Sequence, residues 1–347
     1  MLYTGIKQIK DAAMRQRTID NLIALRAQLD REIPEKTARN SLLLATWNIR
    51  AFGKDSRTKE SLYYIAEILS RFDLIAIQEV RDQRQELEKV VSILGKNWSH
   101  IATDTTEGAP GNGECIAFLY DTNKVMFKNM AGEIVLPKDG LIDELQFART
   151  PFCVSFQAGW FKFNIATVHI YYGSGKEGLA RREKEIASLA KFLTKRAAKE
   201  DTNYVVLGDF NIPKVDDRYM TALEENGFHI PSPIKEHPTD LGETNHYDQI
   251  AFNLHLSDTM QIFDENIQHA GSFNFTKTVY NENDYEAYVP LMDAKQVAKG
   301  NVQDYFRKTW RTFQMSDHLP LWVELKVDFS GQYLEDLKKK YSPAAKK

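Results

Sequence analysis

At 347 residues the chain is long enough for one large or two ordinary domains and for a substantial buried core. Its 43% hydrophobic content excludes the disordered class, and 45 basic against 48 acidic residues exclude a strongly basic DNA-coating protein while leaving room for a local basic patch. Two cysteines, Cys115 and Cys153, are too few for a disulfide scaffold and fit a reducing compartment, with buried free thiols the expected state.

The N-terminal stretch MLYTGIKQIKDAAMRQR lacks the uninterrupted apolar run of a secretory signal. No run of about 20 apolar residues follows, so a soluble, cytoplasmic protein without a membrane span is expected. Residues 4–33 place Ile6, Ile9, Ile19, Leu22, Ile23, Leu25, Leu29 and Ile33 near helical spacing until Pro34 ends the segment. This reads as one broken helix or two short ones packed on the main domain, a dimerisation helix being the alternative. Residues 1–40 are therefore set apart as an N-terminal helical extension, 41–329 as the main domain and 330–347 as a tail.

From Leu42 the pattern alternates between α and β. Strands are expected at 42–48 and 73–78 and helices at 58–71 and 82–95. Strands then dominate at 98–103, 114–120, 125–130, 150–157 and 161–169. A helix at 178–199, a strand at 203–209, a short helix at Tyr219–Asn226 and strands at 246–253 and 320–327 complete the series. Such a mixture suits two packed sheets with helices outside. An insertion at about 255–312, rich in Tyr, Phe and Asn, reads as a long irregular stretch, functional or partly helical. The final KKKYSPAAKK reads as a frayed basic terminus.

Polar residues of metal-binding or proton-transfer type stand at the ends of these strands: Asn48, Glu79, His169, Asp209 with Asn211, and Asp317 with His318. Glu79 closes a stretch too apolar for a surface strand, so its carboxylate needs something positive. Glu79 and Asp317, with Asn48 supplying a neutral oxygen, form a sparse hard-oxygen set suited to Mg²⁺ or Mn²⁺. No His or Cys spacing resembles a zinc site.

Asp209 and Asn211 flank Phe210 and point the same way if the strand continues, where an acid and an amide can hold one water. An Asx turn capping the strand is the plainer alternative. His318 and His169 each need a partner to hold charge or tautomer, the candidates being Asp248 and Glu114. His100, His229, His237, His255 and His269 have no such context. Arg181, Arg182 and Lys184 read either as a solvated helix face or as contacts to backbone phosphates.

The segments TWNIRAFG, DLIAIQEVRD, GECIAFLYD, ARTPFCVSF, ATVHI, VVLGDFNIP, HYDQIAF and SDHLPLWVEL resemble, in order, the motifs of the endonuclease/exonuclease/phosphatase superfamily, and within it those of the deoxyribonuclease I-like nucleases. The resemblance covers about residues 41–327, without the N-terminal helices and most of 255–312. It implies a four-layer α/β sandwich of two mixed sheets flanked by helices, with the site at one end between the sheets. It also implies Asn48, Glu79 and Asp317 around Mg²⁺ or Mn²⁺, Asp209 and Asn211 positioning water and the scissile phosphate, and Arg149 gripping a phosphate oxygen. His318 would pair with Asp248, and His169 with Glu114. Arg81 matches a groove-contacting arginine. Asn112, between Gly111 and Gly113, departs from the family's groove-contacting aromatic.

The expected activity is therefore divalent-metal-dependent phosphodiester hydrolysis, with DNA as the favoured substrate and nuclease as the favoured class. A phosphatase or lipid phosphodiesterase of inositol phosphate or sphingomyelin type is the alternative, and a non-catalytic binding module the third class. The complete set of site residues argues against the last.

Overall fold

The computed structural model describes residues 1–54, 57–105, 113–215, 217–254 and 267–342. Its first strand, β1 (Ser41–Phe52), is apolar on both faces because both faces are covered. Leu42 and Leu44 lie in the core between two sheets, while Leu43, Ala45 and Trp47 face helices outside. The strands that follow are β2 (Leu74–Arg81), β3 (Trp98–Ala102), β4 (Glu114–Asp121), β5 (Val125–Glu133) and β6 (Phe152–Ala158). Then come β7 (Phe161–His169), β8 (Asn203–Asp209), β9 (Asp248–Asn253), β10 (Ile267–Ser272) and β11 (Leu321–Lys326).

One sheet has the order β10-β11-β1-β2-β4-β3 and the other β5-β6-β7-β8-β9. Each contains one parallel pair, β1 with β2 and β7 with β8, and every other pairing is antiparallel. Parallel neighbours require a crossover, supplied by α2 (Lys59–Leu69) and α4 (Gly175–Glu200). The carboxyl ends of β1, β2, β7 and β8 therefore share an edge with the amino ends of β4, β9 and β11. Ligands of open α/β sheets gather at such an edge. Beneath it, Gln78 Nε2 donates to Thr46 Oγ1 at 3.1 Å and to Thr167 Oγ1 at 2.9 Å, a buried polar tie between the sheets.

The outer layers are α2 and α3 (Gln85–Leu94) on the first sheet, and α4 and α5 (Arg218–Glu224) on the second. Residues 1–33 form a 3₁₀ turn, Tyr3–Gln8, and α1 (Ala12–Glu32), capped by Asp11 through Met14 N at 2.6 Å. Leu22, Leu25 and Leu29 join the outer core, and Arg17 pairs with Glu60 of α2 at 2.7 Å. Ile19 and Ile23 stay exposed, so the buried stripe of α1 is narrower than its apolar spacing suggested. Cys115 and Cys153 are buried free thiols. No described helix is long and apolar enough to cross a membrane.

The insertion is more regular than its composition implied. It contributes an edge strand, β10, paired with β11, then 3₁₀ turns and short helices, including a π-helical turn at Phe306–Trp310. Tyr280, Tyr288, Phe306 and Trp310 pack as a ring cluster, with Arg17 of α1 4.5 Å above the Tyr288 centroid. Most of the C-terminal tail is also ordered differently from expectation: Ser330–Tyr341 is a helix, and 343–347 lie outside the described residues.

Arg57 is the buried clamp of the site end. Its Nη1 meets Glu86 at 2.6 Å, and its remaining donors reach the carbonyls of Arg50 at 2.5 Å, Gln314 at 3.2 Å and Met315 at 3.4 Å. Burial pulls the guanidinium below its usual range, which Glu86 opposes. Removing one partner leaves an uncompensated buried charge, so Glu86→Ala should lower stability by about 3–5 kcal/mol. Urea unfolding with an unchanged m-value would register this, and a loss under about 1 kcal/mol would show that water reaches the pair.

Candidate active site

The end of β1 and the neighbouring end of β2 form the first part of the site. The register between these strands shifts after Asn48, and between β2 and β4 it shifts after Ile77, so Glu79 sits on a bulge with a positive φ of 59°. Such a conformation costs a non-glycine residue on the order of 1–3 kcal/mol and re-aims its side chain out of the strand. Glu79 Oε2 accepts from Ala51 N at 2.8 Å, and Oε1 accepts from Asn48 Nδ2 at 3.2 Å. The same Asn48 nitrogen donates to Asp209 Oδ2 at 3.0 Å, linking the two sheets.

The second part lies at the ends of β7 and β8, where His169 stands opposite Asp209 in register. Gly208 makes this close pairing feasible: a Cβ there would lie 2.2 Å from Val168 O, and its φ is 133°. The strand stops at Asp209. Asp209 Oδ1 accepts from Asn211 N at 2.8 Å, and Asn211 has a φ of 55°, so the local geometry is the Asx turn and not a continued strand. Asn211 Nδ2 donates to Ile170 O at 2.8 Å, so this amide also fastens the turn to the end of β7.

Two imidazoles approach Asp209. His318 Nδ1 lies 2.8 Å from the fully buried Asp248 Oδ2, and His169 Nδ1 lies 2.9 Å from Glu114 Oε2, without hydrogen-bond alignment. Their Nε2 atoms stand 3.8 and 3.7 Å from the same oxygen, Asp209 Oδ2. Burial disfavours charge on His318, but Asp248, Asp209 and Asp317 more than offset it and hold the imidazolium up to about 10.

Arg149 Nε lies 3.0 Å from Glu114 Oε2, and its buried Nη1 has no hydrogen-bond partner. Arg81 Nη2 is 3.7 Å from Glu114 Oε1, so this arginine folds back onto the site instead of extending as a free arm. Asn112 lies outside the described residues.

Asp317 is half-exposed at the rim and meets Arg50 Nη1 at 3.3 Å. The donor chemistry on this side fits a hard divalent cation, because Asn48 Oδ1 is buried without a partner near Glu79. No three His, Cys, Asp or Glu side chains form a closed cage among the described residues. A cation here would complete its shell with amide oxygen, water and substrate.

All of the strand-end residues singled out by sequence thus meet at one edge, yet several supporting residues escaped that reading. Arg50 belongs to the TWNIR segment, and its guanidinium also donates to Thr312 Oγ1 at 2.6 Å, tying the insertion to Asp317. Ser316 Oγ donates to Asn48 O at 2.6 Å and accepts from His318 N at 3.0 Å. Thr239 Oγ1 accepts from Asp248 N at 3.0 Å. Arg182 belongs neither to a solvated face nor to a phosphate patch. It is buried, donating to Asn211 O at 2.8 Å and to Tyr171 O at 3.2 Å. Arg181 and Lys184 pair with Glu185 and Asp143.

Comparison with known proteins agrees with the fold. Bovine deoxyribonuclease-1 is 29% identical over 192 residues, covering 53% of this chain and 64% of that protein. The match thus spans just under two thirds of that relative's length. The human Nocturnin catalytic domain with bound sulfate superposes with a TM-score of 0.53 at 16% identity, covering 84% of this chain and 95% of that one. A mannosyl-6-phosphatase of Bacteroides thetaiotaomicron gives 0.51 at 14% identity, covering 82% and 99%. Both structures support the two-sheet sandwich. A family model matches residues 45–306, and the chain belongs to the Endonuclease/Exonuclease/phosphatase family.

Proposed function

We propose that this protein is a divalent-metal-dependent phosphodiesterase that hydrolyses DNA by in-line attack of water, with no covalent enzyme intermediate. The observation that carries this reading is the convergence of two acid-bound imidazoles, His169 and His318, on one oxygen of Asp209. Proton traffic at phosphorus needs a group for the entering water and another for the departing oxygen. Glu79 and Asp317, with the Asn48 amide oxygen, would hold Mg²⁺ or Mn²⁺, which when bound draws charge from the phosphate oxygens.

On the nucleophile side, Asp209 accepts a proton from water as the new O–P bond forms, with Asn211 N fixing its other oxygen and His318–Asp248 bracing it. On the opposite side the P–O ester bond breaks, and His169, held by Glu114, supplies the proton to the leaving alkoxide. Arg149 offers its unpartnered Nη1 to a phosphate oxygen. The substrate assignment to DNA draws support from the 29% identity to a deoxyribonuclease.

The competing reading is a phosphatase or lipid phosphodiesterase on the same scaffold, and one side-by-side assay decides. Supercoiled plasmid should be nicked in Mg²⁺, while inositol phosphates should release little free phosphate. Intact plasmid together with phosphate release would move the protein to the competing class.

A further inference from the structure

The insertion builds one wall of a cleft of 420 Å³ whose other wall is the site itself. Arg307 and Lys308 line the insertion side, facing Tyr247, Asp317 and His318. The volume is in the range of a small-ligand pocket, large enough for part of a nucleotide.

The backbone under the two cations is firmly mounted. They sit in the π-helical turn, a form frequent at functional sites; its flanking ring Phe306 stacks on Tyr288 and on Trp310, and Trp310 meets Tyr288 at a tilt. Arg311 ties the same turn down: it donates to Arg307 O at 3.1 Å and to Tyr280 O at 3.2 Å, and its Nη2 bonds Glu282 at 3.2 Å. The side chains of Arg307 and Lys308 are 42% and 61% exposed and are held by Asp304 at 3.2 and 2.8 Å. Surface pairs at this spacing hold their partners weakly, so both cations can turn to a stronger anion. The acids in the lining have other work. Asp240 accepts from Thr244 N and Asn245 N within its own turn, and Glu282 is paired with Arg311.

We infer that Arg307 and Lys308 bind a phosphate of a nucleic-acid strand that flanks the one being cleaved, making the insertion a substrate-positioning wall. This rests on the phosphodiesterase reading above. The cleft joins the cations to the catalytic edge, and a strand that places one phosphate at Asp209 must carry another beyond it.

The test is fluorescence anisotropy with a labelled single-stranded DNA 12-mer in EDTA, which reads binding without turnover. Relative to the unmodified protein, R307A/K308A should weaken binding about 10-fold. The slope of log K against log salt should become shallower by about 0.7 for each phosphate released. Asp304→Ala, which removes the competing carboxylate, should tighten binding. K338A/K339A deletes the same charge from the exposed C-terminal helix and serves as the control. An unchanged slope in R307A/K308A, or an equal loss in the control, would overturn the inference. Failure of the plasmid assay would instead count against the activity, so the two ideas fail separately.

Discussion

Replacing either His169 or His318 by alanine should slow plasmid hydrolysis by roughly 10²–10⁴-fold, the usual contribution of a positioned acid or base. The division of labour proposed for them predicts different rescue. Nitrophenolate departs without needing a proton, so the His169→Ala protein should recover part of its loss on bis(p-nitrophenyl) phosphate. His318→Ala should not, because His318 and Asp248 brace Asp209 on the side where water enters. Equal losses on both substrates would remove the division of labour even if both histidines proved essential. The geometry makes this a demanding test, since the two Nε2 atoms lie at almost the same distance from one carboxylate oxygen.

Glu79→Gln should abolish most Mg²⁺-supported turnover and raise the Mg²⁺ or Mn²⁺ concentration needed for half-maximal activity at least about 10-fold. The reason is the loss of one of the two carboxylates, Glu79 and Asp317, proposed to hold the hard cation. The fold should survive, because the glutamine oxygen can still accept from Ala51 N as Glu79 Oε2 does at 2.8 Å. Calorimetric titration with Mn²⁺ separates the two effects: weaker binding with an unchanged melting temperature is expected. Wild-type activity that persists undiminished in EDTA, or a variant that binds metal as tightly as wild type, would contradict the assignment.

The strand ends and the residues standing on them were legible in the sequence because their causes are local. A run such as Asp73–Gln78 is too apolar for an exposed strand, so the carboxylate of Glu79 that follows it stands out. The same argument expected Asn48, His169 and Asp209 at strand ends; His169 and Asp209 close β7 and β8, while β1 runs past Asn48 to Phe52, and one edge of the two sheets brings the three together. For the histidines the residues alone offered Asp248 and Glu114 as candidate partners, and the family resemblance implied which goes with which.

What depended on tertiary contact was the use each polar group makes of its neighbours. Strand β10, with the sequence IQHAGS, carries little apolar alternation, and it forms by pairing along the open side of β11. Asn211 leaves the strand because the Asp209 carboxylate captures its N–H, a competition between side chain and ladder that spacing does not reveal. In a linear reading Arg182 belongs to a solvated helix face or a phosphate-contacting patch, and Arg81 matches a groove-contacting arginine. In the fold one fastens the loop after β8 and the other turns toward Glu114, because carbonyls and a carboxylate from distant segments lie within reach. The cleft beside His318 likewise exists only once the insertion has packed its rings against α1 and α2. By itself the sequence pointed to the residues at the site edge, through the strand pattern for those at strand ends and through the family resemblance for the rest. The tertiary structure decided which of them touch substrate space and which hold the others in place, because that choice depends on partners far away in the chain.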